Sequence, residues 1–343
     1  MKKSLFFIAS LTFIFLFSCN NTESPKEVVP SIDKAAIFTK ASQFFAVLPD
    51  ESAKPENISS PEKIALGKAL YYDKRLSKDE TQSCNTCHNI STYGVDNAPT
   101  SKGDNGGLGT RNSPTTFNVG LHISQFWDGR NADVEQQAGG PILNPVEMAI
   151  PNEKFLLDRL KGIPDYQEMF AKAYPADEDP FTYLNLTYAI GAFERTLLTP
   201  SRFDEYLVGN QDALTEQEII GLQTYMDAGC TTCHSGALLG GNMLMKFGLS
   251  ANYWDLTKSS VIDSGKYAQT KQDADLFVFK VQSLRNVEMT FPYFHDGSVS
   301  DLDDAIQIMS KTELNKELTV EEVAEIAAFL KALTGKVPES ALL

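Results

Sequence analysis

Two copies of one five-residue motif, C-x-x-C-H, constrain this chain more than any other feature of its sequence. The first copy spans residues 84–88 and the second spans residues 230–234. C-x-x-C-H is the attachment sequence of c-type haem, in which both cysteines bond the ring and the histidine faces the iron. Two intervening residues bring both sulfurs to one edge of the ring, and the adjacent histidine reaches the metal from one face. The chain is therefore predicted to fold around two covalent haems.

The alternative uses of such cysteine pairs are a redox-active C-x-x-C and a zinc site. Zinc would need four clustered ligands, whereas the two pairs stand far apart in the sequence. Both pairs carry the adjacent histidine, and together they use every cysteine of the chain except Cys19. The pattern therefore favours haem over either alternative.

The first 18 residues have the features of a secretion signal. Lys2 and Lys3 precede an apolar run at 5–17 that is too short for a stable membrane span. The string Leu-Phe-Ser-Cys at 16–19 resembles a bacterial lipoprotein cleavage box, although the bulky Phe17 stands where a small residue is usual. Because c-type haem is attached outside the cytoplasm, we expect an exported, periplasmic protein. We predict lipidation at Cys19 and a membrane anchor, with plain export as the alternative.

The formal net charge of −15 argues against nucleic acid and anionic membrane surfaces as partners. Such a charge suits a basic or dipolar redox partner, and it equally suits solubility alone.

Helix signals occur in the same order in both halves of the chain. Capping signals mark three helix starts: Ser59 or Ser60 before Pro61, Thr215 with Glu218, and Thr319 with Glu322. Residues 94–114 are rich in Gly, Asn, Asp and Ser and read as loop, and alternating strand patterns are almost absent. We predict a mainly α chain of two cytochrome c-like haem domains packed against each other. The predicted segments are a signal peptide at 1–18, a tether at 19–46, and domains at 47–205 and 206–337.

The number of axial ligands on each iron decides whether its haem can bind a substrate or only transfer electrons. A haem with two strong axial ligands only passes electrons, whereas a haem with an empty position can bind a substrate. His88 and His234 are the proximal ligands, which leaves His122 and His295. Among the eight methionines Met309 is the best placed sixth ligand, since it lies in a helix-like run between the second motif and the last helix. A role as core filler remains open for it.

Glu147 is the acidic residue with the most unusual surroundings. It lies in Pro-Val-Glu-Met at 145–148, within an apolar stretch that follows Gly-Gly-Pro at 139–141. A carboxylate held near an open haem could move protons during peroxide cleavage. An ordinary surface ion pair remains the alternative for an isolated glutamate.

Seven further strings occur in order around the haem motifs. They are GVD at 94–96, RNSPT at 111–115, QFWDGR at 125–130, EQQA at 135–138, PVEM at 145–148, LRN at 284–286 and PYFHDG at 292–297. With these strings the chain resembles the bacterial di-haem cytochrome c peroxidases, a group that also contains MauG. The resemblance covers roughly residues 60–337.

The resemblance implies a division of labour between the two haems. The attachment residues would be Cys84, Cys87, Cys230 and Cys233. The N-terminal haem, with His88, would be the peroxide site. The C-terminal haem, with His234 and Met309, would receive electrons at high potential. MauG has a tyrosine in the role that Met309 would fill, so this methionine favours the peroxidase branch.

The same resemblance implies roles for residues that the sequence alone would not single out. Trp127 matches the tryptophan that lies between the two haems in this group. A packed aromatic side chain is the alternative interpretation. Glu147 matches the catalytic acid–base. Asn112 through its side chain, with Thr290 and Pro292 through backbone carbonyls, matches a calcium site between the domains.

One position departs from the pattern. Many members of the group carry a removable histidine before the RNSPT string, and here the corresponding residue is Asp104. Because aspartate is a poor ligand for this iron, we expect the N-terminal haem to be open without prior reduction. His122 is the nearby histidine that could substitute, with packing as its other reading. His295 is expected to line the C-terminal haem pocket.

The expected activity is reduction of hydrogen peroxide to water with electrons from a small cytochrome c or cupredoxin. The resemblance also raises a homodimer as an option. Two alternatives remain: a MauG-like enzyme that oxidises a residue of another protein, and a di-haem electron carrier without catalysis.

Overall fold

The structure, a computed structural model, describes Met1 and residues 32–343. Apart from Met1, the predicted signal peptide lies outside the described residues, and so do Cys19 and the first part of the predicted tether. Residues 34–343 form one compact unit. No helix within 32–343 combines the length and the apolar character that a bilayer span requires. The boundary near residue 205 stays a prediction.

The described chain is mainly helical, as predicted. Its helices are α1 Lys34–Phe44, α2 Pro61–Tyr72, α3 Cys84–Cys87, α4 Val134–Leu143, α5 Glu153–Lys161, α6 Pro164–Ala173, α7 Tyr183–Glu194, α8 Arg202–Leu207, α9 Glu216–Ala228, α10 Tyr253–Thr257, α11 Tyr267–Thr270, α12 Leu302–Leu314 and α13 Val320–Lys331. Two short strands, β1 Leu244–Lys246 and β2 Val278–Lys280, pair antiparallel with Met245 opposite Phe279. Short 3₁₀ turns and loops connect these elements.

The predicted capping signals lie at helix starts. Ser60 Oγ accepts a hydrogen bond from Lys63 N at 3.1 Å, so Ser60 rather than Ser59 is the cap of α2. At the start of α9, Thr215 N donates to Glu218 Oε2 at 2.8 Å, and α13 begins with the same arrangement at Thr319. These reciprocal bonds satisfy amide groups that the first turn of a helix leaves unpaired.

The tether predicted for 19–46 is wrong for its last part. Residues 34–44 form α1, whose Ile37 and Ala41 are buried one helical turn apart. Phe45 is also buried, with its ring edge-on to Phe203 at a centroid distance of 5.4 Å. Gly236 N donates to Phe44 O at 2.8 Å. Three buried side chains in a polar segment were too weak a signal to distinguish a docked helix from a tether.

The two halves of the chain repeat one helix crossing. In the N-terminal half α2 crosses α7, and in the C-terminal half α9 crosses α13. A Cβ added to Gly67 of α2 would stand 1.8 Å from Ala189 O, and one added to Gly221 of α9 would stand 1.9 Å from Glu325 O. Only glycine permits such close backbone approach at both crossings.

A buried tyrosine follows each of these glycines by one helical turn. Tyr71 Oη donates to the backbone carbonyl of His88 at 2.6 Å, and Tyr225 Oη donates to that of His234 at 3.1 Å. Each half thus fixes the histidine of its C-x-x-C-H motif from the same helix position. The order of helix and motif predicted for both halves is present, and the tyrosine contacts are a further repeat that the sequence did not predict.

Candidate haem sites

Two cavities of the described chain are each lined by one of the C-x-x-C-H motifs. The N-terminal cavity, about 1290 Å³, is lined by Cys84, Cys87, His88 and Glu147 among others. The C-terminal cavity, about 260 Å³, is lined by Cys230, Cys233, His234 and Met309 among others. The structure therefore groups the sequence-predicted residues into two separate sites.

Local structure presents each cysteine pair to its cavity. Cys84–Cys87 form the single turn of α3, and Ser83 N donates to Thr86 Oγ1 at 2.9 Å before it. In the second motif, Gly229 ends α9 with a left-handed φ of 98°, and the chain turns at once into Cys230–Thr232. A residue with a side chain is strained at that φ, so Gly229 lets the motif leave the helix.

The residues present fit two c-type haems. All four motif cysteines are free of disulfide bonds and line the cavities. Burial lowers the pKa of His88 and of His234, which keeps both rings in the neutral form that binds iron. The His234 Nδ1 atom lies 3.1 Å from Leu239 O, so a proton on Nδ1 leaves Nε2 free as a ligand. Bound haem would supply the redox chemistry.

Met309 lies on α12 and faces the same cavity as His234. The helix-like run proposed at 302–309 is the first part of α12, which Asp301 caps through bonds to Asp303 N and Asp304 N. Apolar side chains of Ile306 and Leu330 line the cavity beside Met309. The arrangement is compatible with a haem held between a histidine and a methionine.

Glu147 lies in the loop after α4 and lines the N-terminal cavity. Its Oε1 atom accepts a hydrogen bond from Asn144 Nδ2 at 2.8 Å. Burial raises the pKa of the Glu147 carboxyl, and the Asn144 bond and the Arg130 charge oppose that rise. An oriented carboxyl with a raised pKa can exchange a proton in the pH range of an enzyme.

Asp104 directs its carboxylate away from the N-terminal cavity. Its Oδ2 accepts from Asp79 N at 2.8 Å, and its Oδ1 accepts from Thr81 Oγ1 at 2.6 Å. These bonds outweigh burial and lower the pKa of Asp104. Lys102 and Gly103 line the cavity, but Asp104 does not. The residue at the loop-histidine position is therefore engaged with the 79–81 turn.

Trp127 lines both cavities. Its Nε1 atom donates to Asn112 O at 2.8 Å, which fixes the plane of the indole. His295 also lines both cavities, and its ring stacks on Phe279 at 4.6 Å and stands edge-on to Trp127 at 6.3 Å. His295 was predicted to line the C-terminal haem pocket, and it does. Its contact with the N-terminal cavity was not predicted.

Asn112, Thr290 and Pro292 all line the C-terminal cavity. Asn112 Nδ2 donates to Ala98 O at 2.9 Å, which leaves its Oδ1 as the free oxygen. Within residues 32–343, the carbonyl oxygens of Thr290 and Pro292 accept no hydrogen bond. Three free hard oxygens fit calcium better than a transition metal.

Sequence reasoning missed a buried lysine between the two cavities. Lys280 Nζ lies 3.0 Å from His122 Nδ1 and 3.0 Å from Ser124 O, and burial lowers the pKa of Lys280 to about 7. The His122 ring packs on Gly241, where an added Cβ would stand 2.8 Å from Cδ2. These contacts support a packing role for His122, although the residue also lines the N-terminal cavity and its Nε2 atom has no hydrogen-bond partner among the described residues. No sequence signal could have found the pair, because 158 residues separate its members.

A second missed residue is Glu194 at the end of α7. It is buried at the wall of the N-terminal cavity, and its Oε2 atom has no hydrogen-bond partner among the described residues. Burial raises the pKa of Glu194 to about 8. In sequence this glutamate is one acidic residue in an apolar helix, and only the packing of α7 shows that it faces the cavity.

Comparisons with known proteins agree with this geometry. A family model described as di-haem cytochrome c peroxidase matches residues 61–212. Cytochrome c551 peroxidase of Pseudomonas aeruginosa is 43% identical over 315 residues, which cover 90% of this chain and 89% of the relative. Cytochrome c551 peroxidase of Nitrosomonas europaea is 41% identical over 314 residues, which cover 90% of this chain and 91% of the relative.

A solved structure extends the likeness to the fold. It is the crystal structure of a MauG-like protein associated with microbial copper homeostasis, with a TM-score of 0.76 and 29% sequence identity. The match covers 86% of this chain and 96% of that protein. The identities over nearly the full length, together with the two motif-lined cavities, show that the chain belongs to the di-haem cytochrome c peroxidase family.

Proposed function

We propose that this chain reduces hydrogen peroxide to water at its N-terminal haem, with electrons received at its C-terminal haem. Its family makes it an oxidoreductase that acts on peroxide, and two relatives above 40% identity are named cytochrome c551 peroxidases. The observation that carries the proposal is a difference between the cavities. The C-terminal cavity contains both His234 and Met309, whereas the N-terminal cavity contains His88 and the oriented carboxyl of Glu147.

Glu147 would act as the acid–base in peroxide cleavage. Bound haem would supply the cleavage of the O–O bond, and the two electrons would come from the donor protein. The carboxylate of Glu147 would accept a proton from one peroxide oxygen and return it to the other, which leaves as water. Asn144 would hold Oε1 in place through this exchange. Two electrons and two protons balance the conversion of one peroxide into two waters.

The hydrogen bonds of Asp104 support an N-terminal haem that peroxide can reach. Its carboxylate is committed to Asp79 and Thr81, so it would leave the sixth position of the N-terminal iron free. The ring of His122 also lines this cavity, with its Nε2 atom unpartnered among the described residues, but it is held by Lys280 at Nδ1 and by packing on Gly241. We therefore propose that the enzyme reacts with peroxide as isolated, without prior reduction of the C-terminal haem.

Electrons would pass between the sites beside Trp127, which lines both cavities. Methionine ligation raises the potential of a haem relative to a second histidine, so a haem held by His234 and Met309 would suit electron entry. The net charge of −15 favours a small donor with a basic or dipolar face, such as a cytochrome c or cupredoxin.

The remaining expectations belong to the same proposal. Calcium would bind the free oxygens of Asn112, Thr290 and Pro292 and join segments that belong to the two predicted domains. The chain would be exported to the periplasm and anchored through a lipid on Cys19. The two predicted haem domains would pack against each other, and a homodimer is the proposed assembly to test.

A MauG-like activity, oxidation of a residue on a partner protein, is the second candidate. It is favoured by the 29% identity and the TM-score of 0.76 to the MauG-like structure. Met309, in place of the tyrosine expected for that branch, weighs against it. A non-catalytic electron carrier would need two strong axial ligands on both irons. The Glu147 carboxyl in the N-terminal cavity weighs against this third hypothesis.

The test is a stopped-flow experiment on the haem-loaded protein. As-isolated wild type is mixed with peroxide and followed at the Soret band, and turnover is then measured with a reduced cytochrome donor. Glu147→Gln should lower kcat/KM for peroxide by about 10²- to 10⁴-fold, because the acid–base is lost. Glu153→Gln removes an exposed carboxylate six residues away and should leave the rate unchanged.

Two results would overturn the proposal. The first is an unchanged rate in Glu147→Gln. The second is a six-coordinate, low-spin signal from the N-terminal haem in every oxidation state. Poor peroxide turnover together with an oxidised residue on a partner, found by mass spectrometry, would favour the MauG-like candidate.

A further inference from the structure

The N-terminal cavity is closed on one side by a segment from the other half of the chain. Residues 258–264, here called the strap, follow α10 in the C-terminal half and line the N-terminal cavity through Ser260, Val261 and Ile262 among others. Val261 and Ile262 also remain 72% and 54% exposed to solvent. Side chains that both line a cavity and face solvent lie at its mouth.

One ion pair ties the strap to the N-terminal half. Arg111 Nε donates to Asp263 Oδ2 at 2.7 Å, and Arg111 Nη2 donates to Asp263 Oδ1 at 3.0 Å. Arg111 Nη1 donates to the buried Asp128 at 2.7 Å, which fixes the guanidinium from the other side. A bidentate arginine–carboxylate pair is a strong and directional contact. We call the pair of Arg111 and Asp263 the latch.

The strap is held at its ends and free between them. Tyr253 Oη donates to Asp263 O at 3.0 Å and accepts from Asp263 N at 2.8 Å, and Gly265 N donates to Asp263 Oδ1 at 2.8 Å. Ser260, Val261 and Ile262 take part in no hydrogen bond with any residue that the structure describes. Asp263 is therefore the point where the far end of the strap is fixed.

We propose that the strap, held by the latch, determines which hydroperoxides reach the N-terminal haem. With the latch closed, Val261 and Ile262 narrow the mouth so that hydrogen peroxide passes and bulky alkyl hydroperoxides are slowed. Release of the latch admits them. The reaction would then be ROOH with two electrons and two protons giving ROH and water, with electrons from the same donor. This inference rests on the proposed function and adds a specificity-determining segment to it.

The test compares three haem-loaded variants with wild type. Asp263→Asn removes the charge of the latch and keeps its shape. Val261→Ala with Ile262→Ala trims the mouth and leaves the latch intact. Asp255→Asn is the matched control, because Asp255 lies on α10 next to the strap and lines neither cavity. Among the described residues its side chain bonds only Asn252.

Two ratios are measured for each protein. The first is kcat/KM for cumene hydroperoxide over kcat/KM for hydrogen peroxide. The second is the association rate of imidazole over that of cyanide at the ferric N-terminal haem, followed at the Soret band. Loss of a charge-assisted bidentate contact should raise both ratios in Asp263→Asn by about tenfold. The double alanine variant should raise them too, and Asp255→Asn should match wild type.

Unchanged ratios in both strap variants would overturn the inference, and so would a rise of equal size in Asp255→Asn. The double alanine variant decides the question if Asp263→Asn fails to bind haem. The ligand-association ratio involves no peroxide. A rise in that ratio without peroxide turnover would therefore support the role of the strap and reject the proposed function. Peroxide turnover with both ratios unchanged would support the proposed function and reject the role of the strap.

Discussion

A buried ion pair behind the N-terminal cavity is predicted to contribute about 3 kcal/mol to folding. Arg195 Nε donates to Glu135 Oε1 at 2.8 Å, and Arg195 Nη2 donates to Glu135 Oε2 at 2.9 Å. Glu135 is 2% exposed and Arg195 is 7% exposed, and Asn57 Nδ2 donates to the same carboxylate at 2.8 Å. The pair joins α4 to the end of α7, next to Glu194 and the cavity wall. The perturbation is Glu135→Gln, which keeps the shape and removes the charge.

The magnitude follows from the pKa of Glu135. Burial acts to raise that pKa, but hydrogen bonds from Arg195 and Asn57 outweigh it and lower the pKa to about 2, from an ordinary 4.5. Such a shift corresponds to about 3 kcal/mol of stabilisation of the folded state. Breaking a buried pair and leaving one charge alone costs about 3–5 kcal/mol, which agrees. The tight packing of Gly191 on this side chain, where an added Cβ would stand 2.7 Å from Glu135 Cγ, is kept in Glu135→Gln, so the loss reports the charge.

The sign of the pH dependence is fixed by the same shift. Because the folded-state pKa lies below the unfolded value, the stabilisation is complete above about pH 4.5 and is lost as the pH falls towards 2. A protonated Glu135 resembles glutamine, so wild type should approach Glu135→Gln in acid. The free energies of unfolding of wild type and Glu135→Gln would therefore differ most at neutral pH.

The assay is urea unfolding of the haem-loaded proteins, followed by circular dichroism at several pH values. At pH 7 Glu135→Gln should lose about 3 kcal/mol relative to wild type, and Glu153→Gln, an exposed control, should lose almost nothing. The gap should narrow steadily below pH 4.5. A gap under about 1 kcal/mol at pH 7, the size of an ordinary exposed pair, would refute the reasoning. A gap that persists unchanged at pH 3 would refute it as well.

Two further predictions concern the C-terminal cavity. Met309→His should lower the reduction potential of the C-terminal haem in a redox titration, because bis-histidine ligation gives lower potentials than histidine–methionine ligation. The control Met245→Leu, which alters another methionine of the same cavity wall, should leave that potential unchanged. An unchanged potential in Met309→His would contradict the assigned ligand. Removal of calcium with a chelator should lower the thermal midpoint, and calcium but not magnesium should restore it, because three flexible oxygen ligands suit the larger ion. Metal analysis that finds no calcium in the purified protein, or a midpoint that Asn112→Ala leaves unchanged, would contradict that site.

Much of the local structure could be predicted because its causes are local. The caps at Ser60, Thr215 and Thr319 lie where the sequence placed them, since a side chain and an amide three residues apart decide each one. The helix α1 was missed for the opposite reason. Its few apolar residues become a buried face only when Phe45 meets Phe203, which is far away in the sequence.

The candidate sites divide in the same way. The two haem motifs could be recognised directly, because the spacing of thiols and imidazole is imposed by one rigid ring and is written in five consecutive residues. Glu147 and Met309 stood out from their sequence surroundings and the resemblance to a family added Trp127, and the structure places each of the three at a cavity wall. Lys280, Glu194 and the strap could not be anticipated, because nothing near them in the sequence marks them.

What the sequence by itself determined was therefore the chemistry of attachment and the starts of three of the main helices. Only the tertiary structure decided that Asp104 turns to Thr81, that His122 meets Lys280, and that a segment of the C-terminal half closes the N-terminal cavity. The physical reason is that partners separated by tens to hundreds of residues are chosen by the packing of whole helices. A side chain then acquires its pKa and its function from neighbours that its own stretch of sequence does not contain.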